Sequence, residues 1–270
     1  MRLVSFNTNS IRTRLHQLEA VIDRHAPAVI GIQETKVTDE EFPIADIEAL
    51  GYQAIFFGQK THYGVALLSN TPPMEVRRGL PGEPEDAQRR FIEATYDIEG
   101  FGPVTVMNGY FPQGENRDHP TKFPNKADFY QRLDRHLDSR GAIDAPLVVM
   151  GDMNIAPLDA DIGIGEDNRK RWLRDGKTSF LPEEREWLAS IQAKGLTDSY
   201  RLIHPDSADR FSWFDYRSKG FEREPKRGLR IDLILTSKAL TERVTDANID
   251  YDARAMERPS DHCPIWTEFK

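Results

Sequence analysis

Cysteine is almost missing. Cys263 is the single one in 270 residues, so no intrachain disulfide can form, which fits a reducing compartment. No apolar run approaches the ~20 residues a membrane span requires. Met1-Arg-Leu-Val-Ser-Phe-Asn7 passes straight into a strand pattern, without a signal-peptide apolar region. Cytoplasmic residence with no membrane partner is the expectation. A basic excess is missing too: 36 Lys and Arg stand against 44 Asp and Glu, a net charge of -8, which argues against a surface uniformly built for polyanions. There is no glycine-rich phosphate loop of the Walker type and no His/Cys cluster suited to zinc. Fixed-period repeats, low-complexity stretches and domain-scale linkers are also absent.

What is present is a globular composition, 39% apolar and 30% charged, in a chain long enough for a sizeable core and read as one domain over residues 1–270. Basic residues are concentrated locally. Arg210 to Arg230 carries seven basic against three acidic residues, and Asn168 to Lys177 carries Arg169, Lys170, Arg171, Arg174 and Lys177 against Asp175. One face for polyanions on an acidic molecule follows from this pattern; for either segment alone, a solvated helix face or loop is the simpler reading.

Patterning predicts an α/β fold. Arg2 to Phe6 reads as a strand, followed from about Thr13 by a helix with Leu15, Leu18 and Ile22 on one face and closed by Pro27. Ala28 to Ile32, Tyr52 to Phe57, Tyr63 to Leu68, Phe91 to Tyr96, Val104 to Asn108, Leu147 to Met150, Phe211 to Phe214, Ile231 to Leu235 and Cys263 to Phe269 read as further strands. Helices are expected near Phe42 to Leu50, over Phe123 to Leu137, and from Pro182 to Gly195; Thr71 to Ala87 reads as surface loops. The strand-to-Asn opening at Arg2 to Asn7 is echoed by strand-Asp-Met-Asn at Leu147 to Asn154, which suggests two similar halves.

Polar groups collect at the predicted strand ends, where α/β sheets bind ligands: Asn7, Asn9, Glu34, Tyr110, Asp152, Asn154, Asp232, Asp261 and His262. Each has an ordinary structural use. Asp152 and Asn154 after Gly151 suit a turn in which they bond their own backbone, and Asp232 could pair with a buried arginine. Nine together, several interrupting apolar runs, would incur repeated desolvation costs with no structural return. They suit metal-assisted phosphodiester hydrolysis. Glu34 is a plausible ligand for a hard cation such as Mg²⁺, and Asp152 can deprotonate water. Asp232 and His262 form a natural carboxylate–imidazole pair facing phosphate. Asn7, Asn154 and Tyr110 can donate to phosphoryl oxygens or aid the leaving group.

The chain resembles the bacterial exonuclease III family, apurinic/apyrimidinic (AP) endonucleases of the DNase I-like endonuclease/exonuclease/phosphatase superfamily. The resemblance rests on Gln33 to Lys36, Asn108 to Gly114, Gly151 to Asn154, Asp161 to Gly165, Arg210 to Gly220, Gly228 to Asp232 and Ser260 to His262. These span nearly the whole chain in family order. The Glu, Asp-x-Asn and Asp-His elements mark the superfamily, while the stretches from Tyr110 to Gln113 and from Trp213 to Lys219 point to its DNA-repair branch.

This resemblance implies a four-layer α/β sandwich of two facing mixed β-sheets flanked by helices. It implies Mg²⁺-dependent cleavage 5′ to an abasic site in duplex DNA, with Mn²⁺ as a substitute. Removal of 3′-blocking groups, 3′→5′ exonuclease action and a monomeric state accompany it. Glu34 would hold the metal with Asn7 and Asn9 alongside, and Asp261 would support the metal or leaving group. Asp152 would be the base, Asn154 and Tyr110 phosphate contacts, and Asp232 the orienting partner of His262. Trp213, Phe214 and Leu229 would line the pocket for the extruded abasic sugar. Arg90, Gln113, Lys122, Lys177 and Arg217 would contact the DNA backbone. Three features depart from the family pattern: Ser10 stands where glycine is usual, Ala28 where Asp is usual, and Phe221 to Arg227 differs, with Arg227 where Asn is often found. A non-catalytic nucleic-acid module would not need these strand-end carboxylates. A lipid or inositol phosphodiesterase is disfavoured by the Trp213 to Lys219 stretch.

Overall fold

The opening strand sets the architecture, because it is apolar on both faces. The computed structural model describes residues 1–270, beginning with β1 (Arg2–Asn7), which directs Leu3 into one core and Val4 and Phe6 into another. The remaining strands are β2 (Val29–Gln33), β3 (Gln53–Phe57), β4 (Val65–Ser69), β5 (Glu75–Arg78), β6 (Phe91–Ile98), β7 (Gly102–Tyr110), β8 (Leu147–Asp152), β9 (Leu196–Asp198), β10 (Asp232–Ser237), β11 (Val244–Ile249) and β12 (Ile265–Phe269). The helices are α1 (Leu15–His25), α2 (Ile44–Ala49), α3 (Lys122–Asp138), α4 (Glu166–Arg174), α5 (Pro182–Ala193), α6 (Ser199–Ile203), α7 (Lys238–Thr241) and α8 (Tyr251–Arg254). None is long and apolar enough to cross a membrane.

Two six-stranded mixed sheets result, ordered β11-β12-β1-β2-β4-β3 and β5-β6-β7-β8-β10-β9. Each has one parallel pair at its centre, β1 with β2 and β7 with β8, and antiparallel neighbours elsewhere. Leu3, Val29, Val65, Val106, Val148, Met150 and Ile234 fill the space between the sheets. Val4, Ile30 and Ile32 turn outward to Leu18 and Val21 of α1, and Leu147 and Val149 turn outward to Leu133 of α3 and Leu188 of α5. Burial on both faces makes four layers. The two carboxyl-terminal strand ends, Asn7 and Asp152, come together at one rim of the sandwich, where Asn7 Nδ2 donates to Asp152 Oδ2 at 3.0 Å.

Several elements differ from the patterning. The segment from Thr71 to Ala87 contains β5, an edge strand exposed at every residue, so no alternation marks it. Edge strand β11 was also without a strong signal, and α4 occupies the basic segment with no fully buried residue. Phe211 to Phe214 is not a strand; Trp213 makes only isolated bridges to Leu229 and His262. Gly151 is not where the chain turns. It lies within β8 at φ 144°, opposite Gly109, and a Cβ there would sit 1.9 Å from the Gly109 carbonyl oxygen.

Candidate active site

The turn after β8 begins at Asn154, which adopts φ 52° while its amide N–H donates to Asp152 Oδ1 at 3.0 Å. The Asp-x-Asn turn and the polar site are therefore one object. Asp152 accepts from Asn7 through Oδ2 as well, and the β8–β10 register places Asp232 directly opposite it. His262 Nδ1 lies 2.9 and 3.1 Å from the two Asp232 oxygens, and its Nε2 lies 3.7 Å from Asp152 Oδ2. Ser212 Oγ holds the other side of Asp232, accepting from the backbone N–H groups of Ile231 and Asp232 at 3.0 Å each.

Burial pushes the Asp152 carboxyl up to about 7; the neighbouring carboxylates of Asp232 and Glu34 add to the rise, and His262 opposes it. Burial alone would lower His262, but the charges of Asp232 and Asp152 outweigh it and push the imidazole up to about 10. The ring faces two carboxylates, so at neutral pH it holds its proton; Nδ1 is hydrogen-bonded to Asp232, while Nε2 lies 3.7 Å from Asp152, too far for a hydrogen bond. The raised Asp152 carboxyl and the raised His262 imidazole therefore differ in proton affinity, the imidazole being the stronger base of the two.

Glu34, at φ 51° just beyond β2, accepts a 2.7 Å hydrogen bond from the Tyr110 hydroxyl on Oε1. Burial first, and then the Glu34 charge, keep that phenol well above its ordinary pKa and hence a donor. Asn9 donates to Asp261 Oδ1 at 2.8 Å and accepts from Lys36 Nζ at 2.5 Å, and Trp213 Nε1 donates to Asp261 Oδ2 at 3.1 Å. Asn7 is fully buried, with its oxygen accepting from the Asn9 amide at 3.0 Å, so it orients Asp152 and Asn9.

These groups surround a cavity of about 220 Å³. Asn9, Glu34, Tyr110, Gln113, Asp152, Asn154, Trp213, Leu229, Asp261 and His262 line it; so do Lys36, Trp172, Ser179 and Ile231. Ile231 is the alternate neighbour of Leu229, a signal the sequence offered, and Lys36 lay inside the Gln33 to Lys36 stretch. Trp172 reaches the cavity from α4, stacked on Phe180 at 5.7 Å, and Ser179 carried no sequence signal. Phe214 is a correction: it is fully buried in the inter-sheet core and does not line the cavity.

A buried arginine fixes the Leu229 to Asp232 wall. Arg230 Nε donates to Asp161 Oδ1 at 2.6 Å, and its Nη2 to Asp198 Oδ2 at 2.7 Å. Among the remaining expected contacts, Arg90 and Lys122 border an adjoining groove of about 440 Å³ that shares Glu34, Tyr110 and Gln113 with the cavity. The Arg90 guanidinium lies 4.6 Å from the Tyr63 and Tyr110 ring centres. Lys122 is exposed and paired with Glu115, while Lys177 lies 5.1 Å from the Trp172 ring at the rim. Arg217 is exposed on the loop beyond Trp213 and lines neither hollow.

The donor set fits a hard divalent cation. It consists of carboxylate and carboxamide oxygens without a thiolate, and Glu34 Oε2 has no protein hydrogen-bond partner while its residue lines the cavity. Asp152, Asp232 and His262 also lie close enough to share an ion, with ligand atoms within 4.8 Å of one another. There, however, the imidazolium already supplies the positive charge.

An acidic site of this kind between two mixed sheets defines a class, and the chain belongs to the Endonuclease/Exonuclease/phosphatase family, whose pattern matches residues 4–262. Within it, the chain is 57% identical over 270 residues to the exodeoxyribonuclease III of Haemophilus influenzae, covering 100% of both. Its fold is similar to that of the 3′ phosphatase NExo from Neisseria, solved bound to a product DNA hairpin, with a TM-score of 0.90 and 38% identity over 100% of this chain and 99% of that one. An AP endonuclease from Archaeoglobus fulgidus also gives a TM-score of 0.90, at 35% identity over 100% and 99% of the two chains.

Proposed function

We propose that this chain is a DNA-repair nuclease of the exodeoxyribonuclease III kind. In that reading it hydrolyses the phosphodiester 5′ to an abasic site and clears blocked 3′ ends of duplex DNA, with 3′→5′ exonuclease action. The observation that carries the reading is the cavity's mixed lining. Polar groups of Asp152, Asn154, Tyr110 and His262 line it together with the apolar side chains of Trp172, Trp213, Leu229 and Ile231. Leu229 and Ile231 have no side-chain group to pair with a base edge, so the apolar lining suits a base-less sugar. An abasic nucleotide is also the easiest to extrude from the stack.

Asp152 takes the proton of the attacking water, whose oxygen bonds to phosphorus as the bond to the 3′ oxygen breaks. The His262 imidazolium, held by Asp232, donates to a non-bridging oxygen as negative charge accumulates there. The Asn154 carboxamide gives one proton to the Phe111 carbonyl at 2.9 Å and would give its other to the same phosphoryl group, and the Tyr110 hydroxyl would turn to that group from Glu34. Glu34 and Asp261, with Asn9 alongside, would hold Mg²⁺, or Mn²⁺ in its place. The buried Asn7, expected beside the metal, instead acts on the site through Asp152 and Asn9. When bound, the ion neutralises charge on the phosphate and leaving oxygen. Arg90, Gln113, Lys122, Lys177 and Arg217 contact the backbone without reading sequence. In this reading residues 1–270 act as one domain and one active monomer. The single buried cysteine suits a reducing, cytoplasmic setting.

The test compares three duplexes carrying an abasic site, a 3′-phosphate or no lesion. Mg²⁺-dependent nicking of the abasic strand and loss of the 3′-phosphate are expected, both abolished by EDTA. Cleavage that survives EDTA refutes the metal role of Glu34, and no nicking of the abasic duplex refutes the repair reading.

A further inference from the structure

Lys126, on α3, is completely buried, and burial pushes its pKa down despite the opposing charge of Glu184. All three of its ammonium protons are directed at different segments. Nζ donates to Glu184 Oε1 at 2.5 Å, to the Asn154 carbonyl at 2.9 Å and to the Gln113 carbonyl at 3.3 Å. Glu184, on α5 and equally buried, accepts through its other oxygen from the Ser179 and Leu181 amides at 2.8 Å each. Gln113, Asn154 and Ser179 all line the reaction cavity, although Lys126 and Glu184 do not.

We propose that Lys126 and Glu184 are the positioning pair of the active site, holding these three loops in register for the attack on phosphorus. This rests on the proposed nuclease reading. Stability alone is a poor explanation for such a pair, because apolar residues of similar volume usually serve a core as well or better. A point donor with three tetrahedral protons can join three acceptors from separate segments, and an aliphatic side chain cannot. Asn154 sits at φ 52° and Ser179 at φ 99°, conformations that persist in non-glycine residues only when surroundings over-determine them. The pair restrains both: Lys126 holds the Asn154 carbonyl and Glu184 the Ser179 amide. Released, residue 154 can relax towards ordinary backbone geometry, carrying its amide away from phosphate and its N–H away from the Asp152 carboxylate.

The experiment compares wild type, Lys126→Met and Lys126→Met/Glu184→Gln. The double variant removes both buried charges and keeps an acceptor for the Ser179 and Leu181 amides. Steady-state cleavage of an abasic duplex, thermal unfolding and hydrogen exchange are measured on each. Lys126→Met should lower kcat roughly 10- to 100-fold with little change in KM, as expected of a small misplacement of reacting groups. Exchange should quicken around residues 113, 154 and 179 while β1, β2, β8 and β10 keep their protection. The double variant should recover melting temperature relative to Lys126→Met without recovering kcat. Recovery of kcat together with melting temperature would overturn the proposal, and so would unchanged exchange in the three loops. The exchange readout needs no DNA, so it decides the proposal even if wild type cleaves no abasic duplex, an outcome that refutes the nuclease reading instead.

Discussion

Asp152→Asn separates catalysis from stability. The carboxylate is 2% exposed and makes two hydrogen bonds as acceptor, from Asn7 Nδ2 and from the Asn154 amide, each at 3.0 Å. A carboxamide of the same shape places an NH₂ group against one of those donors. Flipping Asn7 to accept it would break the 3.0 Å bond that the Asn7 oxygen takes from the Asn9 amide. One mismatched contact costs about 1–3 kcal/mol. Against it stands the removal of a buried negative charge. Burial, with Asp232 and Glu34 nearby, raises the Asp152 carboxyl to about 7. A raised carboxyl pKa means that the folded state binds this proton more tightly than the unfolded chain, so the contribution to stability is greatest in acid and is lost as pH rises through about 7. At pH above that window, the ionised wild-type group opposes folding and Asn does not. The net expectation in EDTA is a melting temperature at or a few degrees above wild type. Loss of the base should lower single-turnover cleavage of an abasic duplex in Mg²⁺ by roughly 10²- to 10⁴-fold, with binding of that duplex preserved. A variant that keeps a tenth of the rate would place the base elsewhere. A clearly lower melting temperature would show that the Asp152 charge supports the fold.

Two other substitutions test the frame around the site. Ser10 adopts φ 93° and ψ 102°, a conformation suited to glycine, so Ser10→Gly should raise stability by about 1 kcal/mol, read as a higher urea midpoint at constant slope; an unchanged or lower midpoint would refute strain at that turn. Asp250 ties α1 to α8, lying 2.8 Å from His25 Nε2 and accepting from the Ala253 amide at 2.9 Å. Burial would raise its carboxyl, but His25, the Ala253 amide and Arg24 outweigh burial and hold it below the usual range. Its stabilisation is therefore complete above the unfolded carboxyl's pKa of about 3.9 and disappears as pH falls through the lower folded value. Asp250→Asn should be less stable than wild type near neutrality, and denaturation at a series of pH values should show the gap closing in acid.

The sandwich was legible where strands are buried on both faces. Val29 to Gln33, Val65 to Ser69 and Leu147 to Asp152 are continuous buried runs, and their apolar sequences leave little competing pattern. Edge strands are another matter. β5 is exposed throughout and β11 only partly buried, so their order comes from backbone pairing with β6 and β12, which side-chain periodicity does not encode. Trp213 and Phe214 show a related limit. Adjacent aromatics look equivalent in sequence, yet Trp213 bonds Asp261 at the cavity while Phe214 packs against Phe211 and Tyr251 within the core. Without a regular strand, alternation could not assign their faces.

The polar groups were legible because they interrupt apolar runs, but their partnerships depend on the meeting of two sheets. Asn7 and Asp152 are 145 positions apart in the chain and share a hydrogen bond. Asp232 meets Asp152 through strand register, and His262 reaches both from the turn before β12. The backbone conformations that aim them were not legible either. Asn9, Ser10, Glu34, Lys36 and Asn154 all have positive φ, and each such residue costs of order 1–3 kcal/mol. Such strain at consecutive parts of one rim is tolerable because the sandwich below supplies stability independently. The loops at that rim are consequently shaped for the reaction at the expense of local backbone preference. The Asp152–Asn154 contact belongs equally to the turn and to the site: the same hydrogen bond that closes a strained turn orients the carboxylate proposed to receive the proton.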